Sequence, residues 1–153
     1  ETGVVDETTG PELRTQALFR DRLVGVVRME HSLCKGKVTP SRYAAGKHIL
    51  VSREGHQTGP IDEVLKPLGL QREIATLVSG FASAVALARE SDLIASVPER
   101  HTASLRVGMH AFPLPVVTPE FTVSMLWHPR LDADAAHRWL RGHVRAVCAG
   151  KPR

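Results

Sequence analysis

Two apolar stretches stand far apart in the chain, Leu23 to Met29 (LVGVVRM) and Phe121 to His128 (FTVSMLWH). The first is rich in β-branched residues, whose stiff side chains suit a pleated sheet, and it predicts a buried strand. Ahead of it lie a short apolar piece, Gly3-Val4-Val5, a polar turn from Asp6 to Pro11, and a loosely alternating strand from Leu13 to Phe19. Between the two stretches, strand-like runs and helix-like spacings alternate. That layout is what a domain linked twice to a neighbouring lobe needs, one strand leading out and another leading back.

The signals inside the enclosure follow at short intervals. Thr39-Pro40 predicts a helix start, with Thr39 as N-cap and Pro40 in the first turn, and Gly46 stops that helix. His48 to Ser52 (HILVS) predicts an apolar strand. In the helix opened by Pro60, the residues Ile61, Val64, Leu65 and Leu68 fall at i, i+3, i+4 and i+7, and Gly69 stands in the terminating place. Glu73 to Val78 predicts the next strand, Ser79 an N-cap for a helix through Ala82, Val85, Ala86 and Arg89, and Asp92 to Val97 a further strand. Pro98 then starts a predicted helix ending near Gly108. Pro113, Pro115 and Pro119 interrupt the chain before the second long stretch, after which Asp132 caps a helix with Ala136, Trp139, Leu140, Val144 and Val147 on its apolar side. Strand and helix alternating through short connections predict parallel strands with helices packed on the sheet faces, an α/β sandwich.

Composition keeps within this picture. The 153 residues are 42% hydrophobic and 24% charged, as in an ordinary globular protein with one real core. No run of 18 apolar residues occurs, and the acidic start (Glu1, Asp6, Glu7, Glu12) is unlike a signal peptide, so the expected location is cytoplasmic, away from any membrane. The net charge of +4 is spread along the chain with a modest excess in the tail (Arg138, Arg141, Arg145, Lys151, Arg153), a solvated face more than a phosphate-binding one. Cys34 and Cys148 have no CxxC spacing and read as free thiols.

No GxSxG elbow, GxGxxG or P-loop pattern, or HExxH spacing is present, which argues against an enzyme and implies no cofactor and no metal. Eight histidines are scattered; His137 and His143, six apart on a helix, sit about 240° apart around its axis and share no face. What remains are strand ends feeding polar loops and helix starts. Ser52 and His56 follow one strand, and Ser79, Gly80 and Phe81 open a helix whose free N–H groups would attract an anion such as a carboxylate. Simple N-capping by Ser79, a core-filling Phe81 and a solvated His56 are the plainer alternatives at this level.

Taken in order, LFRDRLVGVVRMEHSLCKGKVTPSRYAAGKHILVSREG, GPIDEVLKPLGL, VSGFASAVALARESDLIASVPERHTASL and FTVSMLWHPRLDADAAHRWLRGHV closely resemble the effector-binding region of LysR-type transcriptional regulators. Within them, the strand, His31-containing turn, basic residues Lys35 to Lys37, short helix and pocket strand follow the family's order, as do DLIASVPER and the His-Pro turn before the last helix. The resemblance covers nearly everything from about Leu13. It implies an α/β, periplasmic-binding-protein-like (type 2) fold: 1–22 as a remnant of the first effector lobe, 23–29 as a hinge strand, 30–115 as the second lobe, and 116–153 as the return strand and a C-terminal helix belonging to the first lobe. It also implies a small effector, acidic by the helix-start argument, contacting Ser52, His56, Ser79, Gly80, Phe81, Pro98 and, near the hinge, Met125. Self-association through Pro60 to Leu68 and Glu73 to Val78 is implied too, with DNA contacted only through a winged helix-turn-helix that this sequence lacks. The alternative expectation is a fragment of a solute-binding protein of a transport system.

Overall fold

The β-branched run after Arg22 forms the strand beside which the larger part of the molecule is assembled. The computed structural model describes residues 2–4, 12–52 and 54–150, so the polar turn expected at Asp6 to Pro11 lies outside the described residues. In chain order the elements are β1 (Thr2–Val4), β2 (Arg14–Asp21), β3 (Leu23–Val27), α1 (Pro40–Ala44), β4 (Lys47–Val51), α2 (Pro60–Leu65), β5 (Glu73–Val78), α3 (Phe81–Arg89), β6 (Ile94–Pro98), β7 (His110–Pro113), β8 (Phe121–Trp127) and α4 (Ala135–Ala149). They group into two units, Arg22–Pro119 and Glu1–Asp21 with Glu120–Arg153.

The larger unit carries a five-stranded sheet in the order β5-β4-β6-β3-β7. β5, β4 and β6 are parallel, as expected from their helical connections, whereas β3 runs antiparallel to both β6 and β7. The all-parallel expectation therefore fails at β3 and β7. Neither has a helical crossover to a neighbouring strand, which is what obliges strands to run parallel. Side chains alternate across the sheet with period two. Val24, Val26, Ile49, Ala95 and Val97 pack under Ala84, Val85 and Ala88 of α3. Val27, Ile94 and Phe112 face the other way, with Tyr43 and Ala44 of α1 and Ile61 and Leu65 of α2.

Several local readings hold for the reasons given. Thr39 Oγ1 accepts the amide of Arg42 at 3.2 Å, Pro40 opens α1, and Gly69 takes the left-handed conformation (φ 67°) after α2. Others do not. No α-helix follows Pro98: the amide of Glu99 is bonded to the carbonyl of Arg22 at 2.8 Å, and the chain turns into a 3-10 segment, Ser104–Arg106. Leu68 is exposed because α2 tightens into a 3-10 turn after Leu65, which swings residue 68 off the apolar face.

In the smaller unit β1 and β2 flank β8, both antiparallel, with a register shift between Ala17 and Phe19. Asp134, not Asp132, caps α4, accepting the His137 amide at 2.7 Å; Asp132 instead accepts Trp127 Nε1–H at 2.5 Å. The half-buried positions His137, Arg141, Val144 and Cys148 recur at i, i+4, i+7 and i+11, the side of α4 that lies against β2. Of the expected apolar side only Val144 falls on that face; Trp139, Leu140 and Val147 are left at 64%, 51% and 79% exposure.

Candidate functional site

The carboxyl ends of β4, β5 and β6 lie side by side and bring together five of the seven residues singled out in the sequence. Val51 pairs with Val78, and the amide of Ser52 donates to the Val78 carbonyl at 2.9 Å, so Ser52 and Ser79 leave neighbouring strands at the same level. β4 and β6 match Ile49 with Ala95, which brings Pro98, the last residue of β6, to the same edge. Because β3 runs against β6, its first residue Leu23 pairs with Pro98; Val24 pairs in turn with Pro113 at the end of β7. The chain thus comes into the larger unit, and leaves its sheet, at the edge where the parallel strands end.

At that edge α3 begins. Ser79 is not its cap: Gly80 is, in extended conformation (φ −155°) with no side-chain acceptor, and the Ala84 amide is bonded to the Gly80 carbonyl at 3.2 Å. The amides of Phe81, Ala82 and Ser83 precede the first intrahelical bond and carry the positive end of the helix dipole. Ser79 is exposed, and its hydroxyl has no hydrogen-bond partner among the described residues. Phe81 is half-buried against the α3-side core and meets His101 edge to face, ring centres 6.4 Å apart.

The turn that carries His101 is tied down from several sides. Thr102, fully buried, donates from its hydroxyl to the Pro98 carbonyl at 2.6 Å and accepts from Arg106 Nε at 3.1 Å. Arg106 Nη2 reaches the Glu99 carbonyl at 2.5 Å. Glu99 also takes two hydrogen bonds from Arg22, which, with the charges of Arg22 and Arg106, outweigh its burial and hold its carboxyl below the usual range. His101, Thr102 and Glu99 were missed in the sequence because Pro98 was taken as the start of a helix. The ER-His-Thr run after it was the available signal.

His56 and Met125 stand apart. The His56 amide donates to Ser52 Oγ at 3.0 Å while its ring is exposed, Nδ1 lying 3.6 Å from the Glu54 carboxylate. Met125 belongs to the smaller unit, paired with Thr2 and Gln16 and buried to 7% exposure. A broad groove of about 1030 Å³ lies along α2 and the outer edge of β5, lined by Asp62, Lys66, Arg72, Thr76 and Leu77 among others, and it reaches Gly55 and Gln57 on either side of His56. Among the described residues no cluster of His, Cys, Asp and Glu has the makings of a metal site.

The model of the LysR substrate binding domain family matches residues 3–149. The chain belongs to this family. NahR of Pseudomonas putida, an HTH-type transcriptional activator, is 32% identical over 150 residues, covering 92% of this chain and 50% of NahR. This LysR substrate-binding domain spans about half the length of the curated relatives it matches. The regulatory domain of MexT, a transcriptional activator in Pseudomonas aeruginosa, superposes with a TM-score of 0.74 at 28% identity, over 95% of this chain and 70% of that one. The effector-binding domain of QuiR in complex with shikimate gives 0.70 at 15% identity, over 97% and 70%, a likeness of fold alone. The fold is thus the α/β, type 2 periplasmic-binding-protein-like fold of LysR effector-binding domains. The named relatives are regulators of transcription, which disfavours the transport reading, and nothing in them points to catalysis.

Proposed function

We propose that this LysR substrate-binding domain senses a small acidic metabolite at the carboxyl edge of β4, β5 and β6 and passes the signal to a winged helix-turn-helix elsewhere in a longer protein. The observation that carries this reading is the start of α3: free amides, no side-chain cap, an exposed hydroxyl at Ser79 and an aromatic wall of Phe81 and His101. A carboxylate there satisfies donors that otherwise depend on water. Ser52, Gly80 and Pro98 complete the edge, and His56 and Met125 remain secondary candidates. The domain acts by binding, without catalysis.

We read the larger unit as the second effector lobe and the smaller as the part of the first that this chain carries. The division at Asp21/Arg22 and Pro119/Glu120 supports that reading. An effector that binds one arrangement of the lobes more tightly than another shifts their balance, and only that difference in affinity can drive the switch. Self-association through α2 and β5 accords with the groove along them, and a cytoplasmic location accords with a regulator of transcription. No helix among the described residues is long and apolar enough to cross a membrane.

A thermal-shift screen of small carboxylates, aromatic acids and amino acids against the full-length regulator tests the proposal. A stabilising compound should lose its effect in S79A and F81A. A shift surviving both substitutions would place the effector elsewhere.

A further inference from the structure

The chain's first residues in the larger unit and the turn after β6 are joined by more than the β3–β6 ladder. Arg22 Nε donates to Glu99 Oε2 at 2.6 Å and Nη2 to Oε1 at 3.1 Å, a two-pronged pair between residues 77 apart in sequence. The same two residues are also joined through their backbones, the Glu99 amide donating to the Arg22 carbonyl at 2.8 Å. Glu99 is in turn the start of the turn closed by Thr102 and Arg106, and that turn holds His101 against Phe81. Arg22 is the first residue after the division between the two units.

We propose that Arg22 and Glu99 form a positioning clamp that makes the Asp21–Arg22 crossover and the 98–106 turn a single rigid element, so that movement of the crossover moves Pro98 and His101. The inference rests on the sensing role proposed above for its purpose, but its geometry does not depend on a ligand. An ordinary exposed ion pair contributes little because two flexible side chains must be held in one geometry. Here the two backbones are already bonded, so the planar guanidinium fork closes on a carboxylate whose position is set, and less freedom is lost. The clamp's effect is local: it steadies a turn at the effector edge and leaves the core alone.

Amide hydrogen exchange on the 153-residue chain tests this without any effector, so its failure is distinct from failure of the sensing proposal. Glu99→Gln should raise exchange about fivefold at the amides of Glu99, Thr102 and Ala103, the scale of a well-formed exposed pair. Because the pair is absent from the unfolded chain as well, the thermal midpoint should fall by about 2–4 °C, and exchange at Ile49 and Val85 should rise by no more than the factor seen in the turn. Arg22→Met should raise exchange at the same amides by a similar factor, and R22M combined with E99Q should raise it no further, as a coupled pair requires. Unchanged exchange at Thr102 and Ala103, or additive effects of the two single changes, would each overturn the clamp.

Discussion

Arg72 and Asp62 meet fork to fork, Nε 2.6 Å from Oδ1 and Nη2 2.9 Å from Oδ2, with the arginine side chain only 2% exposed. Burial alone would raise the Asp62 carboxyl, but the hydrogen bonds from Arg72 and the Gly59 amide and the charge of Arg72 outweigh it and hold the carboxyl below its usual range. The same aspartate caps α2, so one carboxylate both starts a helix and neutralises a buried cation. Removing one partner of such a pair strands the other. Arg72→Met should cost about 3 kcal/mol in urea unfolding, and R72M with Asp62→Leu should cost clearly less than the sum of the single changes. Additive losses would mean the pair is not coupled.

His48 supplies a pH dependence of definite sign. Its ring is fully buried, and because the Tyr43 carbonyl can only accept, Nε2 donates there at 2.8 Å and Nδ1 keeps a lone pair that has no partner among the described residues. Burial, opposed by the Tyr43 hydrogen bond and reinforced by the Arg72 charge, lowers its pKa to about 4. Below pH 6.5 the unfolded chain takes up a proton that the folded chain refuses. Stability should therefore fall as pH drops from about 6.5 to about 4, by about 3 kcal/mol from this residue. Denaturation midpoints across that window should slope less steeply in His48→Leu; equal slopes would contradict the assignment.

Many helix faces and strand runs in the larger unit were legible. Ile61 and Leu65 are buried as their spacing demands, and β5 occupies the residues read from the sequence. The spacing on α4 was equally clear, yet Trp139, Leu140 and Val147 are exposed, since periodicity reveals that a face is apolar and not what covers it. Ser79 was weighed both as a cap and as a ligand contact because its type suits either; the chain caps with Gly80 instead, and Ser79 stays exposed. His101 and Glu99 could not be placed, because their roles arise from an antiparallel neighbour, β3, that lies more than 70 residues earlier. Local patterns carry the elements. The site depends on which distant strands adjoin.

Gly25 shows such a distant constraint on a single residue. It pairs with Phe112 across β3 and β7, and a side-chain carbon there would overlap Cε2 and Cζ of the buried phenyl ring. Gly25→Ala should destabilise by about 1–3 kcal/mol through overpacking. Adding Phe112→Leu should recover part of that loss, read as a favourable coupling in a double-mutant cycle. Absence of coupling would mean the ring moves aside freely.

The most direct test of the sensing account is an amide NMR titration of the chain with a small carboxylate found in the stability screen. The account predicts that Ser52, Ser79, Gly80, Phe81, Ala82 and His101 shift together with one binding curve, and that S79A weakens that curve. Shifts gathered instead on Asp62, Arg72 and Thr76 in the α2–β5 groove, with the start of α3 unmoved, would contradict it.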